Sequence, residues 1–289
     1  MNYQKISESF TLLFQTIFSF IKIVLLSNYF TRLKDKKLKD GECVILANGP
    51  CLIKDLEINN EFISGHKKFC VNFFALSEEY EKIKPDYYVL AAPEFWMEKT
   101  TEFFKSQRKK LIDNLLNKTN WQMSLLIPFK AKNSLLVNSI KKNNNIQIIY
   151  YNNTPIEGFQ KIINWLFKLN LGMPRPHNVL IPSIFLALNI GFKKIYIFGA
   201  DHSWHEEIKI DENNKVTVNH EHFYDKNEQR MPMYKLDGKE YYLHDIFRKL
   251  HFAFKGYFIL RDYAYFLNAK IYNASSKSYI DAFERIIIK

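Results

Sequence analysis

Cysteine is scarce in this 289-residue chain. Cys43, Cys51 and Cys70 are odd in number and form no CxxC pair, so neither a disulfide scaffold nor a zinc site is expected, and a reducing compartment is the default. The chain also lacks a GxxxxGK[ST] phosphate loop, a GxGxxG fingerprint, internal repeats and low-complexity tracts. Acidic residues are in deficit, 30 against 41 Lys and Arg, which leaves a formal charge of +11. With 47% hydrophobic and 25% charged residues, a disordered chain, a collagen-like repeat and a multi-span membrane protein are excluded. What remains is a basic globular chain, 16% of it aromatic, of a length that suits one large domain or two small ones. Its excess charge should meet something anionic: nucleic acid, a lipid surface or a phosphorylated ligand. No nucleic-acid recognition motif is present, so nucleic acid is not an expected partner.

The N-terminus stands apart. Phe10 to Phe30 holds 14 apolar positions among 21 and no Gly or Pro. As a helix it would run about 31 Å, enough to cross a bilayer. Thr11, Gln15, Ser19 and Lys22, however, fall at helical spacing and form a polar stripe. Such a stripe favours a helix lying in the membrane interface over one that spans it. Arg32, Lys34, Lys36, Lys37 and Lys39 follow directly, and cations beside an apolar helix are drawn to anionic lipid. A cleaved signal peptide fits poorly, because the apolar run is interrupted and no small-residue cleavage site follows. The competing reading is a helix packed on the protein's own core.

From Gly41 the pattern alternates between strand and helix. Short apolar runs at 43–47, 69–72, 87–91, 124–127, 146–151, 194–198 and 269–272 read as strands. Helical patterns at 77–84, 156–169 and 181–188 lie between them. The fold class expected is α/β, a Rossmann-like, doubly wound, mostly parallel sheet. Residues 1–40 would form the membrane-associating helix and basic segment, and 41–289 the main domain with a lid-like insertion around 205–245. Residues 101–142 carry a net +7, either a solvated helical face or a further membrane-facing surface. The basic, aromatic stretch 247–267 suits a membrane-proximal helix or a core helix with snorkelling cations equally well.

Four places could carry chemistry. Asn48-Gly49-Pro50 follows the first strand, at the sheet edge where open α/β folds bind ligands; Gly49 permits a tight turn and a close backbone approach. Asn72 closes the second strand at the same edge, with a helix cap as its plainer role. Gly199-Ala200-Asp201-His202-Ser203-Trp204-His205 follows a later strand, and its Asp and two His raise metal ligation, against a capping role for Asp201. His220, His222, Tyr224 and Asp225 lie in a long polar segment of the kind that forms lids. A histidine there suits general-base work, against an ordinary surface histidine.

The segments Ala47-Asn48-Gly49-Pro50-Cys51-Leu52, Val71-Asn72-Phe73 and Asn189 to Asp201 (NIGFKKIYIFGAD) resemble, in order and spacing, the bacterial sialyltransferases of glycosyltransferase family 42. They are equally similar to the domain shared by hydroxymethylpterin diphosphokinases and the motility accessory factors. The resemblance covers residues 42–100 and 175–287, and Ile271 to Ser276 is similar to the family's closing nucleotide-side element. It implies that Asn48 and Asn72 contact a cytidine monophosphate donor, that a lid-proximal histidine, matched by region to His222, is the general base, and that no metal is needed. The chain departs from the pattern in four places. Cys51 replaces Ser, Ala92 replaces Asn, and His177-Asn178-Val179-Leu180 replaces Thr-Ser-Gly. The paired tyrosines that hold the donor phosphate have no clear equivalents, with Trp204 and Tyr224 as candidate stand-ins.

The expected function is a metal-independent glycosyltransferase. It would move a sugar, a CMP-activated acidic one by resemblance, to a bacterial surface glycan or glycolipid at the cytoplasmic face of the inner membrane. Catalysis would fall to His222 with His202 as second choice, oriented by Asp225 or Asp201. Nucleotide contacts would come from Asn48, Gly49, Pro50, Asn72, Asn178, Gly199, Trp204, Tyr224, Asn273, Ser275 and Ser276. No cofactor is expected beyond the donor, and homo-oligomerisation stays open. The alternatives are a diphosphokinase-like phosphoryl transferase using ATP and Mg²⁺, and an inactive membrane-bound scaffold. Residues 1–40 contribute +4 of the charge, and outside 101–142 the remainder is close to neutral. The ligand site is therefore sought among Asn, His and backbone amides.

Overall fold

The computed structural model describes residues 3–31, 33, 41–219, 230–232 and 239–288. Eight strands form one sheet. In chain order the first six are β1 (Glu42–Leu46), β2 (Lys67–Val71), β3 (Tyr87–Val89), β4 (Met123–Pro128), β5 (Ile146–Tyr151) and β6 (Lys194–Phe198). Next come the short strands β7 (Ile208–Ile210), β8 (Val216–Asn219) and β9 (Arg230–Pro232), which pair antiparallel in a sheet of their own. β10 (Lys270–Asn273) and β11 (Glu284–Arg285) complete the main sheet, whose order is β11-β10-β6-β1-β2-β3-β4-β5. Every neighbouring pair in it is parallel.

The helices are α1 (Tyr3–Leu26), α2 (Leu52–Ile58), α3 (Asn60–Ser64), α4 (Glu79–Ile83), α5 (Glu102–Lys118), α6 (Leu135–Ile140), α7 (Gln160–Lys168), α8 (Leu180–Ile190) and α9 (Leu243–Phe266). The pleat of β1 divides the core in two. Cys43 and Ile45 point into the layer shared with α7, α8 and α9, whereas Val44 and Leu46 point into the layer shared with α2 to α6. Strands buried on both faces read as continuous apolar runs, which is why their positions were visible in the sequence. The chain runs from β1 outward to β5 and then returns to lay β6 on the other side of β1. The strand order therefore reverses between β1 and β6, and a crevice opens beyond their carboxyl ends.

Several expectations change. The basic helix α5 buries Leu111, Ile112 and Leu115 in the layer opposite the one that receives Ile23 of α1. The positive block at 101–142 and the N-terminal helix thus lie on opposite faces of the sheet and do not share one surface. The stretch 247–267 is a core helix: Ala253, Gly256, Tyr257, Leu260, Tyr263 and Ala264 of α9 are buried. Part of the segment read as a lid-like insertion pairs as β7, β8 and β9, with Val216 and Val218 packed on Ile246. At three or four residues each, they are too short for an alternating pattern to stand out, and they hold no continuous apolar run.

The polar stripe of α1 faces inward. Ser19 Oγ donates to the Glu157 carbonyl (2.7 Å) and accepts from the Glu157 N–H (2.8 Å), while Thr16 Oγ1 accepts from the Phe159 N–H (3.0 Å). At the helix end Ser27 Oγ donates to the Leu171 carbonyl at 2.6 Å. Thr11, which the sequence put in the stripe, is exposed, and Thr16 takes its place.

Candidate active site

Two loops cross at the β1–β6 reversal. The Gly49 N–H donates to the Gly199 carbonyl at 2.8 Å, and the Ala47 N–H to the Phe198 carbonyl at 2.9 Å. A side chain at Gly49 would overlap Asp201 Oδ2 and come within 2.6 Å of the Gly199 carbonyl. Gly199 holds φ +67°, and a Cβ there would sit 2.8 Å from Leu52. Both glycines are therefore fixed by close approach, and in Gly199 also by handedness. Asp55, from α2, ties this crossing together. It is almost fully buried and accepts from the Gly199 N–H (2.8 Å) and the Ser276 N–H (2.9 Å). Sequence reasoning missed Asp55, because an acid inside a short helix gives no signal of what it will bind.

Beyond the crossing lies a cleft of about 530 Å³. Its walls are the ends of β1 (Asn48 to Pro50), β2 (Asn72), the turn after β3 (Ala92 to Glu94), the entry to α8 (Pro176 to Leu180), the loop after β6 (Gly199, Asp201 to Trp204), Glu206, Glu207 and Lys277. Four buried side-chain atoms among the described residues have no hydrogen-bond partner: Asn48 Oδ1, Asn72 Oδ1, Glu94 Oε2 and His177 Nε2. All four residues line this one cleft. A buried acceptor left unpaired costs about 1–3 kcal/mol. Their convergence marks a surface shaped for a ligand that donates hydrogen bonds.

The two asparagines are aimed by their surroundings. Asn48 Nδ2 donates to the Val71 carbonyl at 3.2 Å, which leaves its oxygen toward the cleft. Asn72 has a left-handed backbone (φ 49°), held by its N–H on the Val89 carbonyl (3.0 Å) and by the Tyr88 hydroxyl on its own carbonyl (2.6 Å). Among lining residues Lys277 is the single described Lys or Arg, and it pairs with Glu206 at 2.7 Å.

The histidines differ sharply. His202 is buried and its Nε2 meets the Tyr257 hydroxyl at 2.5 Å; that hydroxyl accepts from Asn178 Nδ2 at 2.8 Å. Burial pushes its pKa down to about 3, so it is neutral and engaged on the protein. His177 keeps Nε2 free, and its ring stacks on Phe252 (5.3 Å, 5°). Burial, aided by the charges of Arg175 and Lys249, lowers its pKa as well. A neutral imidazole with an open nitrogen in a cleft is chemically a proton acceptor. The sequence showed His177 only as a departure from a motif.

The remaining expected residues separate into three groups. Asn48, Gly49, Pro50, Asn72, Asn178, Gly199, Asp201, His202 and Trp204 do line the cleft. Within that group Asp201 Oδ2 accepts from the Cys51 N–H (3.1 Å), and Asn178 Oδ1 accepts from the Leu180 (3.0 Å) and Ile181 (3.2 Å) N–H groups, so both also serve the scaffold. Asn273, Ser275 and Ser276 are not on its wall. Asn273 Nδ2 donates to the Ile280 carbonyl (3.2 Å) and Ser275 Oγ accepts from the Ala200 N–H (3.0 Å), turned into the loop junction. His220, His222, Tyr224 and Asp225 lie outside the described residues. The Asp201, His202 and His205 trio does not converge, since His205 packs its ring on Tyr279. Among the described residues no three His, Cys, Asp or Glu side chains gather around a common point. Burial and the neighbouring acids Asp201 and Asp55 push the Cys51 thiol far up, which makes it a poor nucleophile.

No protein-family model matches the chain, and no curated protein matches it either. One solved structure with a similar backbone is a MAf glycosyltransferase from Magnetospirillum magneticum AMB-1, at TM-score 0.46 and 12% identity. The match covers 90% of this chain and 35% of that one, so the chain spans about a third of that protein's length. At this level of likeness the functional reading rests on the site's own chemistry.

Proposed function

We propose that the chain is a glycosyltransferase that takes a sugar from a nucleotide-activated donor and passes it to a hydroxyl of a glycan or glycolipid acceptor. The observation that carries this reading is the convergence of four orphaned polar atoms in one cleft at the sheet reversal. Three are oxygens and one is an imidazole nitrogen, a set that suits the hydroxyls of ribose and sugar and the amine of a base. Asn48 and Asn72 take the nucleoside, in keeping with the motif resemblance that contains them. A nucleoside monophosphate leaving group fits a wall with one lysine better than a diphosphate, which favours a CMP-linked sugar. No metal is required in this scheme.

The chemistry follows from His177. The acceptor hydroxyl gives its proton to His177 Nε2 as its oxygen bonds to the anomeric carbon. The bond from that carbon to the phosphate oxygen breaks, and the nucleotide departs with the electron pair. Lys277 offers the charge that receives it, by exchanging Glu206 for phosphate. The test is donor turnover in EDTA. Turnover that continues supports the scheme; turnover or binding that demands Mg²⁺ and ATP would replace it with the phosphoryl-transferase reading.

A further inference from the structure

Helix α1 is amphipathic in the reverse of the usual sense. Its polar residues Thr16, Ser19 and Lys22, with Ser27 just past its end, bond to the body of the protein. Its apolar residues face outward, among them Phe14 (60% exposed), Phe18 (60%), Val24 (69%) and Leu25 (73%). A water-soluble surface helix presents the opposite arrangement. The helix is long and apolar enough to cross a membrane, with mean hydropathy 1.9. Yet the bonds from Thr16 to Ser27 fasten it along the protein, and a helix so fastened cannot also thread a bilayer.

The apolar surface extends beyond α1. Thr16 sits at residue 159, just before α7, and Ser27 at residue 171, just after it, so α1 runs beside α7 in the same direction. On its outer side α7 exposes Ile162 and Trp165 (55%), and its cap Leu169 is exposed too, at i, i+3 and i+7. Lys161 and Lys168 flank them, and α7 carries no acid. Tyr29 and Phe30 are exposed at the end of α1. In the sequence five cations, Arg32 to Lys39, follow at once. An apolar patch with Trp and Tyr, bordered by cations, matches the chemistry of the headgroup boundary of an anionic bilayer.

We propose that the outer faces of α1 and α7 form one membrane-docking platform that sinks into a single leaflet of an anionic membrane without spanning it. The platform is built independently of the cleft, so its test does not depend on catalysis. The full-length chain is mixed with vesicles of phosphatidylcholine containing phosphatidylserine, and separately with phosphatidylcholine alone. Binding should be several-fold stronger to the anionic vesicles and should weaken with salt. Phe14→Glu with Phe18→Glu should lower it at least tenfold, with an unchanged circular dichroism spectrum. Phosphatidylcholine brominated in its acyl chains should quench tryptophan fluorescence, and Trp165→Phe, a mild change at an exposed site, should remove most of that quenching although Trp96, Trp121 and Trp204 remain. Quenching that survives Trp165→Phe would overturn the platform in favour of another lipid-facing surface, and resistance to alkaline carbonate extraction would overturn it in favour of a spanning helix. A dimer in detergent-free solution that the Phe14→Glu, Phe18→Glu pair dissociates, with no vesicle binding, would overturn it in favour of a second copy of the chain.

Discussion

His177 and His202 face the same cleft in different conditions, and the difference can be measured. His177 Nε2 has no partner, whereas His202 Nε2 is held by Tyr257. His177→Gln should lower kcat by about 10²–10⁴ while leaving nucleotide affinity unchanged, the split expected of a general base. Because the pKa of His177 lies below the ordinary 6.5, the acid limb of the rate profile should fall below that pH. His202 acts on stability. Its pKa of about 3 in the fold, against 6.5 unfolded, means that the unfolded chain binds the extra proton below pH 6.5. It therefore takes nothing from stability above pH 6.5, and stability is lost as pH falls from there toward 3. The loss is at most about 1.4 kcal/mol per pH unit for one such group. Thermal melts from pH 7 to pH 4 check this; His202→Gln should flatten the slope, and an equal slope in both proteins would refute the assignment. Asp55 is the other residue of consequence that carried no sequence signal. Its two hydrogen bonds tie α2 to loops 144 and 221 positions further along the chain, a contact only the folded topology creates. Asn48 and Asn72 were legible because each ends an apolar strand, where a polar side chain is out of place unless the sheet edge uses it.

Among the elements, the strands were read correctly where both faces are buried, since continuous β-branched runs need no knowledge of neighbours. β11 has only two residues, and β7 to β9 alternate with polar positions, so neither offered an apolar run to find. Helix α1 was legible in length and in its possession of a stripe, but not in direction. Hydropathy reports which residues share a face, and only the partner surface, here 154–159 and 171, says which face turns inward. That docking can be broken at one residue. Gly158 has φ +143°, and any Cβ there would overlap Thr16. Gly158→Val should free α1 from the body and make α1 itself more susceptible to limited proteolysis, while the sheet core melts nearly as before. Equal proteolysis of wild type and variant would show that α1 does not depend on this seat.

For the whole molecule, the charge of +11 divides in the sequence between 1–40 and 101–142, and the cleft is lined by more acids than cations. The basic helix α5 lies across the sheet from α1, and the cleft opens at the strand ends between these layers. No residue that lines the cleft belongs to α1 or α7. The glycosyltransferase role requires that the cleft bind a nucleotide through its orphaned atoms. Isothermal titration of the full-length chain with CMP in EDTA tests this directly, using wild type and Asn72→Gly. The glycine keeps the left-handed backbone and removes only the side-chain amide. Saturable binding of one CMP per chain, weakened about tenfold in Asn72→Gly by the loss of about 1.4 kcal/mol, is the predicted result. No binding of CMP by the folded wild-type chain, or equal affinity in both proteins, would contradict it.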